Sequence, residues 1–369
     1  MKKRILAFMM AAAMVFGSAT AVMAADEGQS STADKMTVTI TKNYQVNGAD
    51  AVSPAETFQF EDATLTAVAG TKYNDANAVD EEKSVDEEKS VDDNMRIPAK
   101  VKTITVTGPS YSKGDNTRKR DITTAEIAAA AYDSVGTYIY TFSETAGDTA
   151  GVTYNSDTYR LYVTVMNGDT AGTYKIGAAY VKKQGERDKV KEIVNTYQAG
   201  KLQITKEVTG NVGDKNKVFD VNVTLTVEAG KTVKAPISIV ANDGTAQDKD
   251  EISTTDWSGN KATVTVKVKN GTTVELKNLP VGVSYTVAEE PYNGYKTSYT
   301  QNGTGMTGAL TSTAVRADAT DTVVIKNHKD TTVDTGVIIS NLPYILILAA
   351  VAAGLVLFAA GKKRRADED

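Results

Sequence analysis

Six polar residues stand at matching places in two halves of this chain, and their types could close covalent bonds without an outside enzyme. They are Lys42, Glu144 and Asn195, followed by Lys206, Glu289 and Asn327. The first half carries "TVTITK", "YTFSE" and "EIVN"; the second carries "KLQITK", "YTVAE" and "VVIKN", in the same order. A neutral lysine amine attacks an asparagine side-chain carbonyl when a carboxylic acid polarises that carbonyl and carries protons to the departing ammonia. The product is an isopeptide bond. Burial supplies the protonation states it needs, because desolvation lowers the pKa of a lysine and raises that of a carboxyl group.

Strand alternation predicts the burial. Residues two apart share a face of a strand, and each of the six continues an apolar stripe. Val38 and Ile40 lead to Lys42, Tyr140 and Phe142 to Glu144, and Ile193 to Asn195. In the second half Leu202 and Ile204 lead to Lys206, Tyr285 and Val287 to Glu289, and Val323 and Ile325 to Asn327. The plainer account has each lysine snorkelling at a strand end, paired with its glutamate, while the asparagine caps a turn. Two sites with one order and one inward phase favour the reactive reading, since buried charges are seldom left unpaired.

The elements that must hold these groups are strands. "MTVTITK", "YIYTFSE", "YRLYVTVMNG", "VFDVNVTLTV" and "KATVTVKVKNGTTVELKNL" alternate with period two and are bounded by Gly, Asn and Asp, so the expected architecture is all-β, as tandem sandwiches. Asn270-Gly271 predicts a two-residue hairpin. One short helix is expected within 121–135, where an alanine run follows Thr123 and Thr124. The repeat "VDEEKSVDEEKSVDD" (79–93) reads as a solvated loop, with a calcium site as the weaker alternative because it lacks a fixed glycine turn. A turn at Gly200 divides a first domain, 35–198, from a second, 199–329. Trp257 and the tyrosines read as core rather than as a ligand patch.

The chain has 369 residues, no cysteine and one histidine, His328. Thiol catalysis, disulfides and cysteine zinc sites are therefore excluded, and a Ser-His-Asp triad would rest on a single residue near the end of the second domain. No cofactor is expected, and no metal. An enzyme is the least favoured class, apart from the autocatalytic bond formation itself.

Both ends read as export machinery. Lys2, Lys3 and Arg4 precede an apolar run and small residues ending at Ala24, a signal peptide over 1–24, which leaves 25–34 as the start of the mature chain. At the other end 337–361 is uncharged and long enough to cross a bilayer, and the basic residues within 362–369 hold the tail in the cytoplasm. The linker 330–336 contains Thr332-Val333-Asp334-Thr335-Gly336. Without the two ends, 34 basic residues face 43 acidic ones, and a net charge of minus nine argues against nucleic acid as a partner.

Together these features resemble the backbone pilins of Gram-positive bacteria. The residues that carry the resemblance are the twofold Tyr-x-x-x-Glu, at Tyr140 to Glu144 and Tyr285 to Glu289, each before a closing Asn strand. To these are added Leu279-Pro-Val-Gly-Val-Ser-Tyr285, which looks like the collagen-adhesin B-type signature, and the three-part C-terminal layout. The resemblance implies Ig-like domains locked by Lys-Asn isopeptide bonds with Glu144 and Glu289 as assisting acids. It also implies a sortase that cleaves between Thr335 and Gly336, although Thr332 and Val333 stand where the common Leu-Pro-x-Thr-Gly pattern has Leu and Pro, which leaves the sortase class open. The implied partners are pilin-class and wall-anchoring sortases, further copies of the chain, peptidoglycan and host surface ligands, at the cell wall. Lys182, Lys183, Lys189 and Lys191 are candidates for the inter-subunit acceptor. A monomeric wall-anchored adhesin is the alternative reading.

Overall fold

The computed structural model describes residues 21–23, 33–69, 88–90, 99–306, 310, 312–331, 344 and 346–355. Its principal strands are β1 (Lys35–Asn47), β2 (Ala63–Ala69), β3 (Lys119–Thr124), β4 (Gly136–Thr145), β5 (Thr158–Asn167), β6 (Tyr174–Lys183), β7 (Glu192–Thr209), β8 (Phe219–Val227), β9 (Ile237–Ala241), β10 (Lys261–Val268), β11 (Thr273–Pro280), β12 (Val283–Glu289), β13 (Lys296–Gln301) and β14 (Thr320–His328). Alternating burial along them follows from alternating apolar and polar residues, as in β8, where every second side chain from Phe219 to Val227 is buried.

Each half is a two-sheet sandwich. In the first, β3-β1-β7 face the antiparallel sheet β6-β5-β4-β2; in the second, β9-β11-β7-β14-β13 face β10-β8-β12. The first core holds Ile40, Tyr140, Phe142, Leu161 and Ile193 between its layers, and the second holds Leu202, Ile204, Phe219, Val287 and Ile325. In both halves the first strand lies beside the last in parallel: β1 with β7, and β7 with β14.

β7 is thus the last strand of one sandwich and the first of the next. It runs for 18 residues straight through Gly200, so the expected turn there is corrected to a continuous strand. The glycine is required for space, since a Cβ at Gly200 would stand 2.3 Å from the backbone oxygen of Arg316 and 3.0 Å from that of Ala319. Gly200→Ala should lower stability by about 2 kcal/mol through this overpacking, read as a lower urea midpoint.

Polar contacts stiffen the joint. Asn278 is buried with φ of 62°, a left-handed conformation that asparagine tolerates. Its Oδ1 accepts from Val52 N and from the Tyr197 hydroxyl, each at 3.0 Å, and its Nδ2 donates to Pro236 O at 3.0 Å. One side chain therefore ties both sandwiches and the shared strand.

Two further expectations are corrected. The segment 121–135 forms strands at Lys119–Thr124 and Ile127–Ala128, and only Ala129–Ala131 coil, as one 3₁₀ turn. Pairing of β3 with β1 and burial of Ile122 and Ile127 outweigh the helical propensity of the alanines. Asn270-Gly271 does form a tight turn, with Thr272 N donating to Lys269 O at 2.9 Å, but it joins strands of opposite sheets rather than a hairpin. The turn packs on β7, where Lys206 N donates to Thr272 O and Gly271 N to Lys206 O.

Of the acidic repeat 79–93, Glu88–Ser90 form a short strand on Ala67–Ala69, against the loop expected, and the rest lies outside the described residues. The same is true of most of the expected signal peptide; Ala21–Met23 run parallel to Met36–Val38. Residues 346–355 are helical, and no helix among the described residues is long and apolar enough to cross a membrane. Thr335, Gly336 and the tail 362–369 are also outside the described residues. Trp257 packs half-buried on the second core, as expected of a core residue.

Candidate functional site

The apolar stripes do turn inward. Lys42, Asn195, Lys206 and Asn327 are each at most 1% exposed, and the side chains of Glu144 and Glu289 are fully buried. The register is the same in both halves. Lys42 on β1 lies opposite Ile193 of β7, and Lys206 on β7 lies opposite Ile325 of β14, so each asparagine sits two residues beyond its lysine's partner, on the same face. Each glutamate comes from the facing sheet, on β4 and β12.

In the first site the Lys42 amine donates to Glu144 and also to Asn195 Oδ1 at 2.8 Å, while Asn195 Nδ2 donates to the other oxygen of Glu144. The glutamate thus bridges nucleophile and leaving group. In the second site the Lys206 amine donates to Glu289, and Asn327 Nδ2 donates to Glu289 Oε1 at 2.5 Å. The residual exposure of Glu289 lies on its backbone, and its carboxyl is fully buried.

Electrostatics favour reactive protonation states. Burial is the larger influence on Lys42 and lowers its pKa from 10.5 to about 8, with Glu144 opposing. Burial likewise lowers Lys206 to about 8 against the pull of Glu289. Desolvation raises the Glu144 carboxyl above its usual range, and Lys42 and Asn195 offset part of that. Phenylalanine rings line the amines: Lys42 Nζ is 4.5 Å from the centre of Phe58, and Lys206 Nζ is 4.3 Å from that of Phe219. These rings exclude water and offer weak cation-π contact to whatever charge the amine keeps.

Sequence reasoning singled out the six reacting side chains but not this lining. Phe219 was legible as the first inward residue of the β8 alternation; Phe58 lies outside the principal strands and alternates only with Phe60, too short a stretch to declare an inward face. Also missed was the loop before β5, whose Asn155 backbone N donates to Asn195 Oδ1 at 3.2 Å.

None of the four candidate acceptor lysines enters either triad. Lys183 pairs with Asp157 at 3.1 Å and Glu186 at 3.4 Å. The Lys182 and Lys189 amines stand 5.7 and 5.0 Å from the ring of Tyr180, and Lys191 is exposed just before β7. His328 ends β14 at the surface, its ring nitrogens in hydrogen bonds with Thr209 Oγ1 at 3.0 Å and Asp330 Oδ2 at 2.9 Å. Among the described residues no group of three or more His, Asp or Glu side chains could hold a metal.

Comparison with known proteins adds an independent line. A family described as a domain of unknown function (DUF7601) matches residues 200–329, closely the second sandwich. A pilin from Streptococcus pyogenes serotype M1 is 27% identical over 343 residues, 88% of this chain and 90% of that protein. The pilus tip adhesin Cpa of Streptococcus pyogenes is 33% identical over 137 residues, 37% of this chain and 18% of the adhesin. The solved major pilin T3.2 of Streptococcus pyogenes superposes with a TM-score of 0.51 at 22% identity, over 81% of this chain and 99% of the pilin chain, which shows a shared fold.

Proposed function

We propose that this chain is a structural subunit of a covalent pilus shaft on a Gram-positive cell surface, each of its sandwiches locked by one Lys-Asn isopeptide bond. The observation that carries the reading is the buried Lys-Glu-Asn triad, built twice in one register between the first and last strands of a sandwich. Similarity to a pilin over nine-tenths of that protein's length supports it.

The reaction needs only the chain. The neutral amine of Lys42 attacks Cγ of Asn195, forming the C–N bond and moving the carbonyl electron pair onto Oδ1, while the carboxylic acid of Glu144 lies between Nζ and Nδ2. Glu144 then gives its proton to Nδ2 and accepts the one that the attacking nitrogen sheds, ending as it began. Collapse restores the carbonyl, breaks the bond to Nδ2 and releases ammonia, so one amine and one primary amide become one secondary amide and ammonia. Lys206, Glu289 and Asn327 do the same. The fold holds the reactants at high effective concentration in a dry site, which replaces an external catalyst.

A bond between the first and last strands would carry tension past the rest of each domain, and the shared β7 would hand it from one sandwich to the next. Assembly would follow cleavage between Thr335 and Gly336 by a sortase, with transfer of the threonyl group to a lysine of another copy, Lys182, Lys183, Lys189 and Lys191 being the candidates, and finally to peptidoglycan. The membrane segment then serves only until cleavage.

The second reading is a monomeric wall-anchored adhesin with host surface ligands; the similarity to a pilus tip adhesin over 137 residues, 18% of that protein, bears on its adhesive part alone. Expression in a Gram-positive host carrying pilus sortases separates the two. A ladder of very high mass that survives boiling in detergent, and is lost in Thr335→Ala, is the expected result; a single wall-linked species would replace the shaft by the adhesin.

A further inference from the structure

The two triads differ in one respect. In the first, Asn195 Oδ1 accepts two hydrogen bonds, from Lys42 Nζ at 2.8 Å and from the backbone N–H of Asn155 at 3.2 Å. In the second, nothing among the described residues donates to Asn327 Oδ1, although it is buried. There the additional donor near the triad, the Thr297 hydroxyl, points at Glu289 Oε1 at 3.5 Å instead of at the carbonyl.

This oxygen is where negative charge develops when the amine adds to the amide carbon. A fixed backbone N–H aimed at that position stabilises the tetrahedral intermediate and costs no reorganisation, and loss of such a donor typically slows acyl transfer about 10²- to 10³-fold. The Asn155 amide is held for this task. Asn155 Oδ1 accepts from Asp157 N at 2.9 Å and from the Tyr159 hydroxyl at 3.0 Å, and its Nδ2 donates to Asp157 Oδ2 at 3.3 Å. The side chain closes a local turn and is pinned to β5, which holds the Asn155 N–H between Asn195 Oδ1 and the Glu144 carboxyl, on which it also acts.

Resting on the isopeptide reading above, we infer that the Asn155 backbone amide is an oxyanion donor for the Lys42-Asn195 bond alone, so that the first sandwich crosslinks before the second. The Asn155 side chain is then a positioning group, and order of locking is written into the fold. A subunit emerging amino end first would have its leading domain sealed while the other still matures.

The test follows both crosslinked peptides by mass spectrometry after cell-free synthesis of the full chain in detergent, with timed quenching. The Lys42-Asn195 crosslink is expected first. Asn155→Ala should slow it about tenfold or more, leaving the Lys206-Asn327 rate and its pH dependence unchanged. Asn155→Ser, which keeps an oxygen for Asp157 N, should restore most of the rate. The second site in the same molecule reports on folding. Equal rates at the two sites of the native chain, an Asn155→Ala chain that crosslinks Lys42 at the native rate, or slowing of both sites together would each overturn the inference. Absence of either crosslink from the native chain would instead overturn the isopeptide reading itself.

Discussion

Replacing Glu144 with alanine is expected to leave the first sandwich uncrosslinked and to halve the mass deficit of the mature chain. The native protein should weigh two ammonia molecules less than its residues require, and Glu144→Ala should weigh one less. The reason is geometric: among the described residues Glu144 is the group in hydrogen-bond contact with both the amine that attacks and the nitrogen that leaves. Without it neither proton transfer has a carrier inside the dry site. Glu289→Ala should act equally on the second sandwich.

The stability cost should be large. Lys42 and Asn195 are 153 residues apart, and releasing a crosslink over such a loop gives back about 5 kcal/mol of chain entropy to the unfolded state, by analogy with disulfides. For a domain of this size that is roughly 15 °C in melting temperature. Asn195→Ala also prevents the bond but keeps the Lys42-Glu144 pair, so it should show the same deficit of one ammonia relative to its own residue mass and a smaller loss of stability. A Glu144→Ala chain that still lacks two ammonia molecules would refute the assigned role, and full residue mass in the native chain would remove the bonds altogether.

In the Asn195→Ala chain the uncoupled amine makes stability depend on pH, with a predictable sign. Folded Lys42 holds its proton only up to a pH of about 8, whereas in the unfolded chain it does so up to about 10.5. Between those values the unfolded state binds the extra proton, so raising the pH favours the folded state. The contribution is complete above the unfolded pKa and is lost as the pH falls through the folded one. Integrated over the window it approaches about 3 kcal/mol. Urea unfolding between pH 8 and 9.5 avoids the range where buried tyrosines such as Tyr197, whose pKa burial raises, begin to oppose folding. The double variant Lys42→Met, Asn195→Ala keeps every other titrating group and should lack the slope. Parallel curves for the two chains would show that Lys42 is not desolvated as described.

Period-two alternation was enough to place all six reactive side chains on inward faces, because a strand has only two faces and an apolar stripe declares which one is buried. The same logic gave the all-β class and recovered Phe219 once its stripe was known. Propensity was weaker wherever the chain had a neighbour to satisfy: Ile122 and Ile127 were drawn into a sheet despite the adjacent alanines, and Asn270-Gly271 made its turn without making a hairpin.

What the residues determined alone was the identity, order and orientation of the reacting groups, since side-chain chemistry and strand periodicity are local properties. Only the folded structure decided how far apart they lie and what surrounds them. The common register of β1 with β7 and of β7 with β14, the passage of one strand through Gly200, and the Asn155 amide on Asn195 all depend on contacts between distant segments. Local preferences carry no term for such contacts, because pairing and close packing are energies of the assembled chain.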